Sequence, residues 1–440
     1  MSMEKQIIYQ VLPRLWGNGK FSDWKEPGFS YLKGLGVTYL WLTGIPRHAS
    51  GQDFVKGDPG CPYAIEDWKD TNPYLADNPD KRMSEFKSLV RRAHKAGIKI
   101  LTDFIPNHVA RNYDGPVPVL DRCDYDWTDT RKVDYSDPRT VGEMADILGF
   151  WADAGVDGFR CDMVELVPPE AMKAIIDRVR SSRPELLFVA EVYDRNNYAL
   201  YLDNCGFDLL YDKSGVYDIL RGIYGGTRGA MELSWNWQFL GSHQDGMLNF
   251  LENHDEQRIC SRFYCGGFRR TRASLAFSLL FNRASFLIYS GQELGEDAAE
   301  SGDGRTSIFN MVKVGSAERI AGIIAGKQPA AEDAEKLGFF RKLTETAMTP
   351  AFRSGGVWDL CYCQDADFDR SRLFTFARYV AGEGRIHVVL CNFSPEVAAC
   401  AINLPRELLE AASGRCGCLP ERLEMSAGAY DAAFCEYKIK

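Results

Sequence analysis

Eight short apolar runs, separated by segments with helical periodicity, dominate the chain as far as residue 289. One intervening segment, Ser84–Ala96, has apolar residues at helical spacing, with Ser84 as its predicted N-cap and Gly97 at its end. Apolar strands that alternate with helices indicate a parallel sheet covered on both faces. Eight repeats favour an α/β fold of the (β/α)8 TIM-barrel type over a doubly wound sheet. The runs are Ile7–Leu12, Val37–Leu42, Ile98–Phe104, Val156–Cys161, Leu186–Val192, Phe207–Tyr211, Met247–Leu251 and Ser285–Tyr289.

Two further regions differ from the repeating pattern. Residues 108–138 form an Asp- and Tyr-rich insertion after the third run, and long loops in compact barrels are usually functional. From residue 349 to residue 440, alternating segments such as Arg372–Val380, Arg385–Phe393, Val397–Leu404 and Ala433–Ile439 predict a C-terminal antiparallel β-sandwich domain. Residues 1–107 and 139–348 are then the catalytic barrel, and residues 108–138 are a short inserted domain.

Charge and composition exclude several classes of protein. The net charge is −9 and there is no long basic run, so we expect no nucleic-acid partner. No apolar stretch approaches the ~20 residues of a membrane span. The 13 cysteines include no CxxC pair, which argues against zinc and is typical of reduced thiols. The N-terminus shows no secretory leader, and we therefore predict a cytoplasmic location.

Polar residues follow the predicted strands at their carboxyl ends, which is where (β/α)8 barrels place their active sites. Three carboxylates, an arginine and two histidines would thus meet at one rim of the barrel. The segments are DFIPNH at Asp103–His108, GFRCD at Gly158–Asp162, VAEV at Val189–Val192 and ENHD at Glu252–Asp255.

The spacing within these segments predicts a chemistry. Arg160 and Asp162 are two residues apart on a strand and therefore point to the same face. The neighbouring cation favours an ionised Asp162, which can attack an anomeric carbon. Burial and repulsion from Asp162 should raise the pKa of Glu191 on the adjacent strand, so that it stays protonated as an acid. A separation of about 5–5.5 Å between them would be that of a retaining glycosidase. Asp255 would then stabilise an oxocarbenium-like transition state.

With these four segments in this order, the chain resembles the α-amylase family of glycoside hydrolases. The resemblance implies a barrel with an inserted domain B and a C-terminal β-sandwich. It also implies that Asp162 is the nucleophile, Glu191 the acid/base and Asp255 the transition-state stabiliser. Shorter matches agree with it: Pro62–Ile65, Val133–Tyr135 and Gly291–Glu293.

The resemblance further implies a set of substrate contacts. Tyr63 would stack on the sugar in subsite −1, and His108 and His254 would hydrogen-bond to it. Arg160 would orient the nucleophile, and Arg305 would make a further contact with the same sugar.

Two features of the sequence bear on specificity and on metal binding. Where many α-amylases have Lys and His after the nucleophile, this chain has Glu165 and Leu166, which removes a cation expected near the acceptor subsites. Calcium is optional: the resemblance implies Asn107, Asp134 and the backbone carbonyl near residue 166 as ligands, since oxygen suits calcium. The remaining ligand is left open among Asp121, Asp124 and Asp126. Tryptophans that could stack on sugars are Trp127, Trp235 and Trp237.

The predicted function is a retaining glycoside hydrolase that cleaves α-glucosidic bonds in starch-like α-glucans or malto-oligosaccharides and needs no organic cofactor. A transglycosylase of the same family is the nearest alternative, because one covalent intermediate serves both reactions. A catalytically inactive glucan-binding protein is a second alternative, although it need not keep all three carboxylates. An unrelated barrel enzyme acting on phosphorylated metabolites would need a glycine-rich phosphate loop after strand seven or eight, and neither position resembles one. Linkage preference, chain length and oligomeric state are left open.

Overall fold

The computed structural model describes residues 4–57, 59–309 and 314–439. Residues 1–3, 58, 310–313 and 440, which the predicted domain ranges include, lie outside the described residues. All eight predicted strands are present: β1 (Ile7–Val11), β2 (Tyr39–Leu42), β3 (Lys99–Phe104), β4 (Gly158–Cys161), β5 (Leu187–Ala190), β6 (Leu209–Tyr211), β7 (Met247–Phe250) and β8 (Ser285–Tyr289). They close into a parallel barrel in the order β1-β8-β7-β6-β5-β4-β3-β2, which confirms the predicted fold class.

The barrel has two apolar layers because its strands are buried on both faces. Side chains such as Ile8, Leu101 and Leu248 fill the interior, while the outer faces of the strands pack against the helices. Gly158 allows the close approach of β4 to β5, since a Cβ atom there would lie 2.3 Å from the carbonyl oxygen of Leu187.

Eleven α-helices in the described residues complete the chain. The second begins at Arg82 and not at Ser84, so the predicted N-cap is wrong: Ser84 lies in the first turn, and its Oγ donates to the carbonyl of Lys81. Gly97 ends this segment with a φ of 72°. The helices are α1 (Glu26–Lys33), α2 (Arg82–Lys95), α3 (Thr140–Asp153), α4 (Pro169–Arg180), α5 (Asp218–Tyr224), α6 (Met231–Leu240), α7 (Arg272–Leu280), α8 (Gly315–Ile324), α9 (Ala331–Ala347), α10 (Pro350–Arg353) and α11 (Arg406–Ser413).

Two small hairpins rise from the carboxyl ends of the strands. One follows β2 and pairs Pro46–His48 with Ile65–Thr71. The other follows β3, pairs His108–Ala110 with Thr130–Lys132, and lies in the predicted insertion. Within it, Lys132 Nζ lies 2.8 Å from both carboxylate oxygens of Asp124. Both hairpins bring loop residues over the barrel mouth.

The C-terminal part contains two antiparallel sheets. One has the order β9-β10-β11-β14, with β9 (Gly356–Asp359), β10 (Leu373–Tyr379), β11 (Arg385–Asn392) and β14 (Ala432–Lys438). The other pairs β12 (Ala398–Leu404) with β13 (Glu421–Ala427). The strands β9 and β13 and helix α11 had no counterpart in the sequence analysis, although β13 alternates Leu423, Met425 and Ala427 with polar residues and α11 buries one apolar face. No helix within the three described stretches has both the length and the apolar character needed to cross a bilayer.

Candidate active site

The register of neighbouring strands brings the predicted site residues to one end of the barrel. Asp103 on β3 lies opposite Arg160 on β4, and Cys161 lies opposite Ala190 on β5. The next residues along β4 and β5 are Asp162 and Glu191. The Glu191 amide donates to the carbonyl of Cys161 at 3.1 Å, so the two carboxylates follow directly from adjacent strands.

One buried guanidinium contacts both carboxylates. Arg160 has no exposed surface; its Nη1 pairs with Asp162, and its Nη2 lies 2.9 Å from Glu191 Oε1. Its Nε donates to Tyr211 Oη at 3.3 Å, and its charge lies 5.5 Å from the ring centre of Trp41. A buried charge is stable only when it is paired and hydrogen-bonded. Arg160 therefore fixes the positions of the two carboxylates relative to each other.

Glu191 has further donors on both oxygens. The Met163 amide donates to Oε2 at 3.0 Å, and Tyr193 Oη donates to Oε1 at 2.7 Å. Met163 has a left-handed φ of 42°, which turns the chain after β4 beside this carboxylate. Burial raises the pKa of Glu191, and repulsion from Asp162 adds to that rise, whereas Arg160 and the two donors oppose it. A carboxyl group with a raised pKa is suited to carry a catalytic proton.

His254 and Asp255 follow β7 on the other side of the site. Gln10 Nε2 lies 2.6 Å from His254 Nδ1, an arrangement that assigns the ring proton to Nε2. Nε2 in turn lies 2.7 Å from Tyr63 Oη and 3.1 Å from Asp255 Oδ2. Burial and the charge of Arg160 hold the pKa of His254 well below its usual range, so the ring is neutral. Burial and repulsion from Glu191 raise the pKa of Asp255 well above its usual range.

Asp103 positions Tyr63, a function that the sequence analysis did not assign to it. Its Oδ1 accepts hydrogen bonds from Tyr63 Oη and from Trp41 Nε1, both at 3.1 Å, and its Oδ2 accepts one from the Gly44 amide at 2.9 Å. Burial raises the pKa of Asp103 to about 7. Tyr63 thus donates to Asp103 and accepts from His254, which fixes its ring at the site.

A cavity of about 180 Å³ lies over this array. Five predicted residues line it, whereas Arg160 and His254 lie beneath it. Burial lowers the pKa of His108 in its wall to about 4, so that ring is neutral too. The predicted lining residues are Tyr63, His108, Asp162, Glu191 and Asp255, and they are joined by Lys56, Cys61, Trp127, Asp129, Thr130, Met163, Tyr193, Ile308 and Phe309.

Three other predicted contacts lie outside that lining. The guanidinium of Arg305 is directed to the backbone: its Nε donates to the carbonyl of Asp255 at 2.9 Å, and its Nη1 pairs with Asp303 at 3.0 Å. Trp237 lies on α6, where its Nε1 donates to Gln244 Oε1 and its ring packs against Phe281. Trp235 is exposed on the same helix. Of the three tryptophans singled out from the sequence, Trp127 lines the cavity.

Glu165, the departure from the family pattern, has a specific set of partners. Its carboxylate accepts from the Tyr193 amide at 2.8 Å, the Asp194 amide at 3.2 Å and Asn197 Nδ2 at 2.8 Å. These bonds hold the loop that follows β5. Where a lysine would present a cation, this chain uses a carboxylate to place Tyr193 beside Glu191.

A buried ion pair that the sequence analysis missed supports the segment after β7. Arg258 Nη1 lies 2.7 Å from Glu252 Oε1, and Arg258 also donates to the Ser290 carbonyl and to Thr306 Oγ1. The pair connects the ENHD segment to β8 and to the loop that carries Arg305. The sequence indicated this pair only through Glu252, the acidic residue directly before Asn253.

The proposed calcium ligands do not fit a cation site. The Asn107 side-chain oxygen lies 2.9 Å from His108 Nδ1, and its amide nitrogen is buried without a partner. Asp134 Oδ1 accepts two hydrogen bonds from Ser136, at 2.9 and 2.6 Å. Within residues 4–57, 59–309 and 314–439, no three His, Cys, Asp or Glu side chains form a group that could hold a metal ion.

Comparisons with known proteins were consistent with this geometry. Neopullulanase 2 of Thermoactinomyces vulgaris is 25% identical over 362 residues, covering 69% of this chain and 58% of that protein. The cyclomaltodextrin glucanotransferase of Thermoanaerobacterium thermosulfurigenes is 26% identical over 315 residues, covering 60% of this chain and 42% of that protein. The chain thus spans about half the length of these relatives. The crystal structure of the maltogenic α-amylase AmyB from Thermotoga neapolitana has the same fold, with a TM-score of 0.74, 21% identity and complete coverage of both chains.

The match to a family model supports the assignment to a family more strongly than these single relatives do. The model of the α-amylase catalytic domain matches residues 28–116 and 123–358. Those residues include most of the barrel and all of the strand-end segments described above. The chain belongs to the α-amylase family.

Proposed function

We propose that the protein is a retaining glycoside hydrolase that cleaves α-glucosidic bonds in α-glucans or malto-oligosaccharides. The observation that supports it most is the single buried guanidinium of Arg160, which contacts Asp162 and Glu191 at the base of one cavity. A third carboxylate, Asp255, lines the same cavity. The names of the relatives, a neopullulanase and a glucanotransferase, point to the same class of substrate.

In the first step, an oxygen of Asp162 attacks the anomeric carbon and the bond from that carbon to the glycosidic oxygen breaks. Glu191 gives its proton to the departing oxygen, which leaves as a sugar hydroxyl. The product of this step is a covalent β-glucosyl ester of Asp162. Burial favours the protonated form of Glu191, which gives up this proton, and the ion pair with Arg160 holds Asp162 in place.

In the second step, Glu191 is a carboxylate and takes a proton from water. The water oxygen bonds to the anomeric carbon, and the ester bond to Asp162 breaks, so that the product keeps the α configuration. Asp255 would hold hydroxyls of the reacting sugar, Tyr63 would lie against its ring, and His254 would hold both of them from beneath the cavity. Their mutual hydrogen bonds mean that no large reorganisation accompanies the reaction.

Transfer to a second sugar is the alternative, in which a sugar hydroxyl replaces water in the second step. The relative that is named a glucanotransferase favours it.

We also place the protein in the cytoplasm, because the 13 cysteines, all in the described residues, form no disulfide.

Timed product analysis on maltoheptaose and panose tests the proposal, with the anomeric configuration followed by NMR. We expect α-anomers first from the wild type and strongly reduced release from Glu191→Gln. Products longer than the substrate would favour transfer. Release of β-anomers would refute the retaining mechanism, and inactivity on both sugars would refute the α-glucan assignment.

A further inference from the structure

We propose that a cavity between helix α8, helix α1 and the loop after β1 binds a small amphipathic carboxylate, such as the anion of a medium-chain fatty acid. This space, the α8 cavity, has a volume of about 370 Å³, about twice that of the catalytic cavity. Among the residues that the structure describes, the two cavities share no lining residue. A ligand bound there would be separate from the sugar that reacts, so the site goes beyond the proposed function.

An apolar face of α8 forms one wall of the α8 cavity. Its four lining residues are Ala317, Ile320, Ala321 and Ile324. Positions three or four apart lie on the same side of a helix, so these side chains make one continuous surface. Ile320 is buried whereas Ala321 is exposed, and the wall therefore runs from the interior to the solvent.

The loop after β1 supplies a second apolar wall. Leu12, Leu15 and Trp16 line the α8 cavity, and both Leu12 and Trp16 are buried. The Trp16 ring is stacked on that of Trp24, with the ring centres 4.4 Å apart and the planes within 6° of parallel. Because this stacking fixes the Trp16 indole, the wall has its shape before any ligand binds.

The size and polarity of the α8 cavity indicate a hydrocarbon ligand. Protein interiors are close-packed, and voids larger than a water molecule are few. Water is a poor occupant between these walls, because it needs several polar partners. Small-molecule pockets of about 300–1,000 Å³ are usually lined by apolar side chains with a few polar groups that fix orientation. A flexible apolar chain matches the space that the side chains of α8 and of the β1 loop leave between them.

Lys25 provides the charge that selects a carboxylate. It is the N-cap of α1, it is exposed, and it lines the α8 cavity. In the part of the chain that the structure describes, its ammonium group has no ion pair. The two other charged residues of the lining already have partners: Asp23 accepts from two backbone amides, at 2.8 and 3.0 Å, and Arg258 is paired with Glu252. An anionic head group at the mouth would thus meet the free cation of Lys25 while its chain lies inside.

Calorimetric titration of the full chain with sodium decanoate, kept below its critical micelle concentration, tests this site. We expect one decanoate to bind per chain. Ala317→Phe places a ring in the apolar space and should raise Kd by about tenfold or more. Lys25→Gln removes one exposed ion pair and should raise Kd about threefold. Lys33→Gln, which removes an exposed lysine from the other end of α1, is the matched control and should keep the Kd of the wild type.

The results can overturn the site without reference to sugar cleavage. Circular dichroism checks that each variant folds, and Ala321→Phe, at the exposed part of the same wall, replaces Ala317→Phe if the latter does not. No binding by the wild type, or the same Kd in a folded cavity-filling variant, would refute the site. An equal rise in Kd for Lys25→Gln and Lys33→Gln would show that only the net charge of the chain matters. That result, or an unchanged Kd in Lys25→Gln, would refute the binding of a carboxylate at Lys25.

Discussion

Replacing Tyr193 by phenylalanine removes one hydrogen bond from Glu191 and nothing else within the catalytic array. Tyr193 Oη donates to Oε1 at 2.7 Å, a bond that favours the ionised carboxylate. The other groups that face Glu191 stay in place: Arg160 and Asp162 from β4, Asp255 from the β7 loop, and Tyr211 from β6. Without the bond, the pKa of Glu191 must rise.

The size of the change follows from the strength of the bond. A hydrogen bond to a charged group contributes about 1.5–3 kcal/mol. Because Tyr193 is 37% exposed and water can replace part of the bond, we take the lower end, about 1.5 kcal/mol. At 1.36 kcal/mol per pH unit, this corresponds to a rise of about one pH unit.

The assay is the pH profile of kcat/KM on a malto-oligosaccharide, because this parameter reports the ionisation of the free enzyme. In the proposed mechanism Glu191 acts as an acid, so activity is lost as the pH rises through its pKa. In Tyr193→Phe the alkaline limb should therefore move to higher pH by about one unit. Tyr198→Phe is the control, since the Tyr198 hydroxyl lies near Asp212 and the Tyr211 carbonyl, not near Glu191. An alkaline limb that stays in place, or moves to lower pH, would refute this account of Glu191.

Three further predictions concern leaving groups, loop support and domain attachment. Glu191→Gln should slow maltoheptaose cleavage by about 10²–10⁴-fold but α-glucosyl fluoride cleavage far less, because fluoride leaves without a proton; equal losses in initial-rate assays would contradict the acid role. Glu165→Ala should move the alkaline limb in the same direction as Tyr193→Phe but by less, since it frees the loop and keeps the hydroxyl; a limb at the wild-type pH would show that Glu165 is not needed to place Tyr193. Arg378→Met should lower the free energy of unfolding by about 3–5 kcal/mol in urea denaturation, because it leaves five carbonyls without their donor; an unchanged midpoint would contradict it.

The barrel could be predicted from the sequence because its strands are buried on both faces and are mostly apolar, with single polar residues such as Gln10 and Asn249. The positions of Asp162, Glu191 and Asp255 followed from the same runs, since parallel strands end at one rim. The two-residue spacing of Arg160 and Asp162 fixed their common face before any contact was known.

Contacts made by loops could not be predicted in this way. Lys56 and Asp129 are 73 positions apart and meet because two separate hairpins fold over the mouth of the barrel. Arg305 lies in the predicted region, but its guanidinium is directed to the Asp255 carbonyl, and only side-chain placement shows this. Ser84 had the residue type of an N-cap, yet the helix begins one half-turn earlier and places it inside the first turn.

Glu165, where this chain departs from the family pattern, is connected to the protonation of Glu191 through Tyr193. Besides its ion pair with Arg160, Glu191 has two hydrogen-bond donors, and they differ in how freely they can withdraw: the Met163 amide is fixed in the backbone, whereas the Tyr193 side chain is partly exposed. In the proposed mechanism Glu191 carries a proton in the first step and none in the second, so its pKa has to differ between the two steps. Tyr193 lines the cavity, so it is the donor that a bound sugar would reach, and loss of its bond would raise the pKa of Glu191. Because Glu165 holds the backbone of Tyr193, a carboxylate at this position keeps that hydroxyl within reach of Glu191 when the site is free.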